Sequence, residues 1–392
     1  MTNGIKKEIL NDARRARKLS ISEVAEFCRI SEPRLRQLEA GDAEPTFLQL
    51  QKFGDLYNVA PYAFFSDKPL EFNETLPDFR KAHPSEAKLS PKGLTRIWNV
   101  QKQSIFVAKL IEGLGRNAPT RPSLARITNR LQPDAESLRS NFEEWRNQRQ
   151  SKFRLQYNEE DLFFAHLRIF IDVHSCNTIL NSAPENDFLG FYSKDRGSSS
   201  IFVNREMKYS RRRIFTICHE FAHFIYDEEG ISNPFSANNL VERKCNQYAA
   251  KFIAPDNVVS KIVDKFRSGV NSDTLISALS SETFLSKQAA AIRLADLDFI
   301  SNKELNTYFR KSRTSLNQSE FESPKSNSPM GRPAAIGKKL SEIGVYNAYV
   351  ASSALDAKLV DRFDLQNALG LSDKLQDAVL DLAKRRFEAG AE

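Results

Sequence analysis

Two of the five histidines in this 392-residue chain stand in one stretch, RRIFTICHEFAHFIYDEEG (Arg212 to Gly230), as His219 and His223 with Glu220 between them. On a helix, residues four apart lie one above the other on the same face. Two imidazole nitrogens so placed can reach a single zinc ion at about 2.0–2.1 Å. Glu220, one position along, is near enough to hydrogen-bond a water on that metal without ligating it. This H-E-x-x-H arrangement binds zinc and supplies a general base for peptide hydrolysis. Ile214, Phe215, Ile217, Cys218, Phe221, Ala222, Phe224 and Ile225 make the stretch apolar almost all round, so the helix is expected to be buried. A carboxylate in a buried helix is costly unless it is paired or engages a metal. The competing reading, a core helix with two satisfied histidines, leaves that cost unanswered.

Two histidines leave a catalytic zinc one protein ligand short. Downstream carboxylates are Asp227, Glu228, Glu229 and Glu242. The first three fall in a polar loop and are expected to face solvent. Glu242 opens an otherwise apolar helix, LVERKCNQYAAKFIAPDNVV, which can pack across the first helix and aim its carboxylate at the ion. Its alternative role is a helix N-terminal charge favoured by the macrodipole. Asn246, one turn on, is placed to orient His219 or His223, a support that ligating histidines usually need. For an oxyanion donor the sequence offers Tyr192, Tyr209, Tyr226 and His174, without choosing among them.

The elements that must position these groups can also be read. EEDLFFAHLRIFIDVHSCNTIL predicts a helix running into a strand. DFLGFYSKDRGSSSIFVNREM predicts a β-hairpin, Phe188 to Tyr192 and Ser200 to Asn204 around a Gly/Ser turn. Its SIFVN strand is expected to offer an edge to an extended peptide.

Composition sets the frame. With 41% hydrophobic and 27% charged residues, the chain is that of a soluble globular protein of two or three domains. It has no run of about 18 apolar residues, so no membrane span is expected. The polar, basic start MTNGIKKEILNDARRARKLS lacks an apolar core and argues against secretion. Cys28, Cys176, Cys218 and Cys245 are widely spaced, as reduced thiols in a cytoplasmic protein would be. A net charge of +7 is compatible with nucleic acid and does not establish it.

Near the N-terminus, LSISEVAEFCRISEPRLRQLEAGDAEPT (Leu19 to Thr46) has apolar Val24, Ala25, Cys28 and Ile30, then Leu35 and Leu38, on the inner faces of two short helices. Ser22 and Ser31 are the expected caps, and Gly41 follows the second helix where a left-handed residue is wanted. This helix-turn-helix resembles the XRE-type module of phage and plasmid repressors, down to its LEAG…P tail. The resemblance implies that the second helix reads double-stranded DNA, here through Arg34, Arg36 and Gln37, with Glu32 and Pro33 as poorer readers. Arg14, Arg15, Arg17 and Lys18 are candidates for phosphate contacts. A module kept for protein contact or homodimerisation is the alternative.

FTICHEFAHFIY…ERKCNQYAAKFIAP, preceded by GFYSKD…IFVN, resembles the ImmA/IrrE metallopeptidases. With the helix-turn-helix and the C-terminal segment, most of the chain resembles fused XRE–ImmA/IrrE regulators. The resemblance implies a gluzincin-like core, a short sheet on two metal helices, with His219, His223 and Glu242 as ligands of Zn2+ and Glu220 as the catalytic glutamate. It also implies a protein substrate, a repressor- or antitoxin-like DNA-binding protein of bacteria, phages or mobile elements. Cys218, Cys245 and Tyr248 depart from the alanine, alanine and phenylalanine common there, conservatively for packing. Two further readings stay open: a transcription regulator using the metal fold as sensor or binding platform, and a toxin–antitoxin or phage-defence component.

The expected fold is mainly α with a small β-sheet (α+β). The expected domains are a helix-turn-helix bundle (1–68), a helical connector (69–155), the metallopeptidase core (156–300), a polar Ser/Pro/Asn-rich linker (301–334) and a C-terminal helical domain (335–392). His83 is expected in a polar loop.

Overall fold

The computed structural model describes residues 8–65, 70, 89–121, 124–128, 132–153, 157–195, 198–232, 240–266, 270–314 and 332–391. His83 and residues 315–331 of the expected linker lie outside them. The chain divides into two compact units, residues 1–76 with 83–102 and residues 77–82 with 103–392. The architecture is mainly helical with one small sheet, as expected. Among the described residues no helix is long and apolar enough to cross a membrane.

The first unit holds α1 (Ile9–Ala16), α2 (Ile21–Cys28), α3 (Glu32–Ala40), α4 (Phe47–Tyr57), a 3-10 turn (Pro61–Phe65) and the start of α5 (Pro91–Leu114). Polar caps mark where α2, α3 and α4 begin. Ser31 caps α3, and Gly41 ends it at φ 75°, both as the sequence suggests. The cap of α2 is Ser20, not Ser22. Ser20 Oγ accepts from the Glu23 N–H, and the Glu23 carboxylate accepts from the Ser20 N–H at 2.6 Å, a reciprocal capping box. Spacing in SISE allowed either serine, and the glutamate three residues on selects the earlier one. Ser20→Ala should therefore lower the stability of this unit by about 1 kcal/mol, while Ser22→Ala should change it by a few tenths, as read by denaturant unfolding.

Val24, Ala25, Cys28, Leu35, Leu38, Phe53, Tyr57, Phe64 and Trp98 form the buried centre of this unit. Arg17 belongs to that centre. Its guanidinium lies 3.7 Å from the Trp98 ring centroid and donates twice to the Tyr57 carbonyl. Burial pulls its pKa down to about 10.

In the second unit follow α6 (Leu124–Thr128), α7 (Ala135–Phe153), α8 (Glu159–His174), β1 (Asn177–Asn181), β2 (Gly190–Asp195), β3 (Ser198–Asn204), α9 (Ser210–Tyr226), β4 (Gly230–Ser232) and α10 (Leu240–Ile253). After them come α11 (Asp256–Asp264), α12 (Ser272–Glu282), α13 (Lys287–Asp296), α14 (Asn302–Thr314), α15 (Arg332–Ile343), α16 (Val345–Asp356), α17 (Arg362–Leu369) and α18 (Asp373–Ala391). One hydrophobic core runs from Val107 to Phe387 and takes in α7 to α10, α12, α13 and α15 to α18. The sheet order is β1-β3-β2-β4, with β1 parallel to β3 and the other pairs antiparallel. The β2–β3 hairpin is the one the sequence suggests. Its SIFVN strand is not an edge, however: β3 is paired on both sides, and the outer strands are β1 and β4. The expected peptide edge on β3 is thus corrected, because the β1 strand after α8 returns alongside it.

A buried polar knot fastens the C-terminal helices to β1. Asp172 accepts from the Thr178 and Val345 N–H groups, and Asn177 Nδ2 donates to the Ile343 carbonyl at 3.0 Å. Gly344, at φ 92°, passes so close to Asn177 that a Cβ would stand 2.0 Å from its Oδ1, a position closed to any other residue.

Candidate metal centre

Helix α9 begins badly for its dipole, since Arg211, Arg212 and Arg213 crowd its positive end. The acidic first turn of α8 offsets this: Arg211 pairs with Glu160 at 2.7 Å and Arg213 with Asp161 at 3.0 Å. The helix then runs through the core, burying Ile214, Ile217, Phe221, Ala222, His219, Glu220 and His223. It ends at Asp227, whose left-handed φ of 56° turns the chain back on itself. That turn carries the Glu228 carbonyl to 2.9 Å from His223 Nδ1.

Helix α10 crosses α9 and presents Glu242, fully buried. Its C-terminal end is held by guanidinium groups that satisfy its last carbonyls. Arg139 donates to Phe252 and Ile253 at 3.0 Å, and Arg293 donates to Ala254 while pairing with Asp256. Tyr248 donates to the Pro133 carbonyl at 3.0 Å.

His219, His223 and Glu242 meet. His219 Nε2 and His223 Nε2 are 3.2 Å apart, His219 Nε2 is 3.2 Å from Glu242 Oε2, and His223 Nε2 is 3.3 Å from Glu242 Oε1. Ligand atoms placed about 2.0–2.1 Å from a tetrahedral ion stand about 3.3–3.4 Å from one another. The observed separations of 3.2–3.3 Å, with each imidazole facing a different oxygen of Glu242, are close to that spacing, and among the described residues these three side chains form the group that could hold a metal ion. Burial pushes His219 below the ordinary imidazole range. Burial alone would push the Glu242 carboxyl up, but hydrogen bonds to both imidazoles outweigh it and hold Glu242 at about 2. Burial thus favours the neutral form of His219 and the imidazole contacts favour the carboxylate form of Glu242, and a metal ion needs its ligands deprotonated.

Glu220 is buried beside this triangle, one residue after His219, and lies against Gly190 of β2. Asn246 approaches His219 closely enough to favour its charged form, though short of full hydrogen-bond geometry. Asp227, Glu228 and Glu229 do not join the triangle. Asp227 is exposed and pairs with Lys194 at 2.8 Å, and Glu229 accepts from the Lys194 N–H. Cys218 and Cys245 are buried free thiols, and burial raises both well above the ordinary value.

Of the oxyanion candidates, His174 packs on Phe170 and Trp145 in the α7–α8 core. Tyr192 is buried with its hydroxyl near Ser199 and Asp227, and Tyr226 packs on Tyr248. Two contributors escaped the sequence reading: the Glu228 carbonyl, visible only once α9 is known to end at Asp227, and Gly190, whose meaning needs the strand-to-helix distance.

In the first unit, Arg36 and Gln37 lie on the exposed face of α3, and Arg36 pairs loosely with Glu32 at 3.6 Å. Arg34 is half-buried and donates to the Glu44 carbonyl. Arg14 and Arg17 are not available to phosphates as expected. Arg14 is tied to Glu39 at 2.7 Å, and Arg17 is sealed against Trp98, because both are drawn into the packing of α1. Arg15 and Lys18 remain exposed.

Residues 171–295 match the family model of the M78 peptidases, described as an IrrE N-terminal-like domain; they span β1 to β4 and both helices of the triangle. Residues 10–64 match a helix-turn-helix family model. No curated protein and no solved structure was found to match the chain. The chain thus joins a helix-turn-helix segment of XRE type to an IrrE-like domain of the M78 peptidase family.

Proposed function

We propose that this protein is a DNA-binding regulator with zinc-dependent endopeptidase activity, acting on a repressor- or antitoxin-like protein. The observation that carries the reading is the buried triangle of His219, His223 and Glu242 with Glu220 alongside. These three side chains would hold zinc, and Asn246 would steady His219. Zinc bound there would acidify a water toward neutrality and polarise a peptide carbonyl. Glu220 takes the proton of the attacking water and returns it to the leaving amine. The Glu228 carbonyl accepts from His223 Nδ1–H, which favours the tautomer whose unprotonated Nε2 has a lone pair free for a metal. In the first unit, Arg36 and Gln37 are the residues offered to base edges, and Arg34 would first have to leave the Glu44 carbonyl.

The direct test is zinc per chain in the purified protein. One zinc is expected in the wild type and almost none in His219→Ala or Glu242→Ala. Absence of zinc in the wild type, or a content indifferent to Glu242, would break the assignment.

A further inference from the structure

A cavity of about 260 Å³ opens in the second unit between α8, the first turn of α9, α15 and α18. Three guanidinium groups from three helices line it: Arg168 of α8, Arg213 of α9 and Arg386 of α18. The rest of its wall is largely apolar, led by Phe164, Ile169 and Leu340. The Phe164 ring is flanked by the guanidinium carbons of Arg168 at 5.9 Å and Arg213 at 5.7 Å.

The two carboxylates at this cavity do not balance the three cations. Asp161 is engaged by Arg213 at 3.0 Å and by the Ser210 hydroxyl at 2.8 Å. Asp172 accepts from two backbone N–H groups and its charge also favours the cationic forms of Arg168 and Arg386, while burial pushes its own pKa up to about 6, so one carboxylate is shared by two guanidinium groups. Arg168 directs its Nη groups to Ser341 and the Thr178 carbonyl. Yet the Nε of Arg168, Arg213 and Arg386 are all buried with no hydrogen bond among the described residues. Burial also pulls Arg168 down to about 10 and lowers Arg386. A buried Nε–H without an acceptor costs free energy, an oxyanion in the cavity would supply one, and the planar guanidinium fork matches phosphate and carboxylate.

We propose that this cavity binds a small oxyanion metabolite, its phosphate or carboxylate head held by Arg168, Arg213 and Arg386 and its compact apolar body lying on Phe164, Ile169 and Leu340. Room for several waters' worth of volume suits a compact ligand rather than a peptide. Arg213 stands six residues before His219 on the same helix, whereas Arg386 belongs to the last helix of the chain. An occupant therefore ties α18 to α9 and acts as a regulator of the metal helix. The site stands whether or not the triangle works as a peptidase, because binding is read without activity.

The test uses the full chain in chloride buffer at constant ionic strength, with inorganic phosphate and succinate as separate probes. Calorimetric titration should show saturable binding of at least one probe, with a matching rise in Tm. A phosphate response assigns a phosphate head, and a succinate response a carboxylate head. Arg386→Gln should weaken binding at least tenfold with an unchanged far-ultraviolet circular dichroism spectrum. Arg386→Lys, which keeps the charge and loses the fork, should also weaken it and serves if the first variant unfolds. Arg362→Gln, on an exposed pair with Asp377, should leave it unchanged. Binding of neither probe, or binding indifferent to Arg386, overturns the proposal.

Discussion

Glu220→Gln should keep its zinc and lose peptide hydrolysis by about 10²–10⁴-fold, the usual contribution of a positioned general base. Glutamine has the size and shape of glutamate, so the packing against Gly190 and Thr216 is preserved. What it lacks is a carboxylate able to take a proton and give it back. The triangle of His219, His223 and Glu242 does not include Glu220, so the metal site should be untouched. The measurement pairs zinc content with cleavage of a helix-turn-helix protein, or of an unstructured polypeptide until a partner is known. Retained zinc with lost cleavage supports catalysis. Turnover within a few-fold of wild type would remove Glu220 from the reaction. A wild type that holds zinc and cleaves nothing would favour a sensing or binding platform over an enzyme.

The triangle was legible because its information is local. His219 and His223 are fixed relative to each other by helix geometry alone, and Glu242 needed only the further step that α10 crosses α9. Caps were equally readable where the motif was unambiguous: Ser31 and Gly41 bound α3 as their types suggest, and Ser20 displaced Ser22 because Glu23 closes a capping box. The β2–β3 hairpin followed from its turn. What alternation cannot reveal is which strands become neighbours. β1 returns parallel to β3 through contacts made after α8, and so SIFVN lost its expected free edge. The fate of surface arginines is a similar case. Arg14 and Arg17 look like phosphate ligands in RRARK, yet Glu39 and Trp98, 25 and 81 positions away in sequence, recruit them inward. Asp172 and Asn177 likewise meet the α15–α16 junction across more than 160 residues, a distance over which no periodicity carries a signal.

Gly190→Ala should cut turnover by about a hundredfold while zinc stays bound, the cost expected when a catalytic group is misplaced by about 1 Å. Gly190 sits in β2 with its missing side chain aimed at α9. A Cβ built there would stand 2.8 Å from Glu220 Oε1, 2.8 Å from Thr216 Cγ2 and 2.9 Å from Glu220 Cγ. Neither wall can retreat cheaply. The strand is paired on both sides, Gly190 opposite Val203 and opposite Ser232, and α9 is anchored by its place in the core and by the ion pairs of its first turn. The Glu220 side chain is the softest of the three contacts, so it should swing and take the carboxylate away from its working position. The three atoms nearest the new methyl belong to Glu220 and Thr216 and not to His219 or His223, which is why metal content should hold. Gly113→Ala is the matched control: its new methyl would meet only Leu359 Cδ1 at an ordinary 3.4 Å, within a helix where alanine is favoured by about 0.5–1 kcal/mol. Turnover in Gly190→Ala equal to wild type would show that Glu220 needs no such clearance. Loss of zinc together with turnover would mean that the glycine serves the packing of α9 on the sheet as a whole, and not the carboxylate in particular.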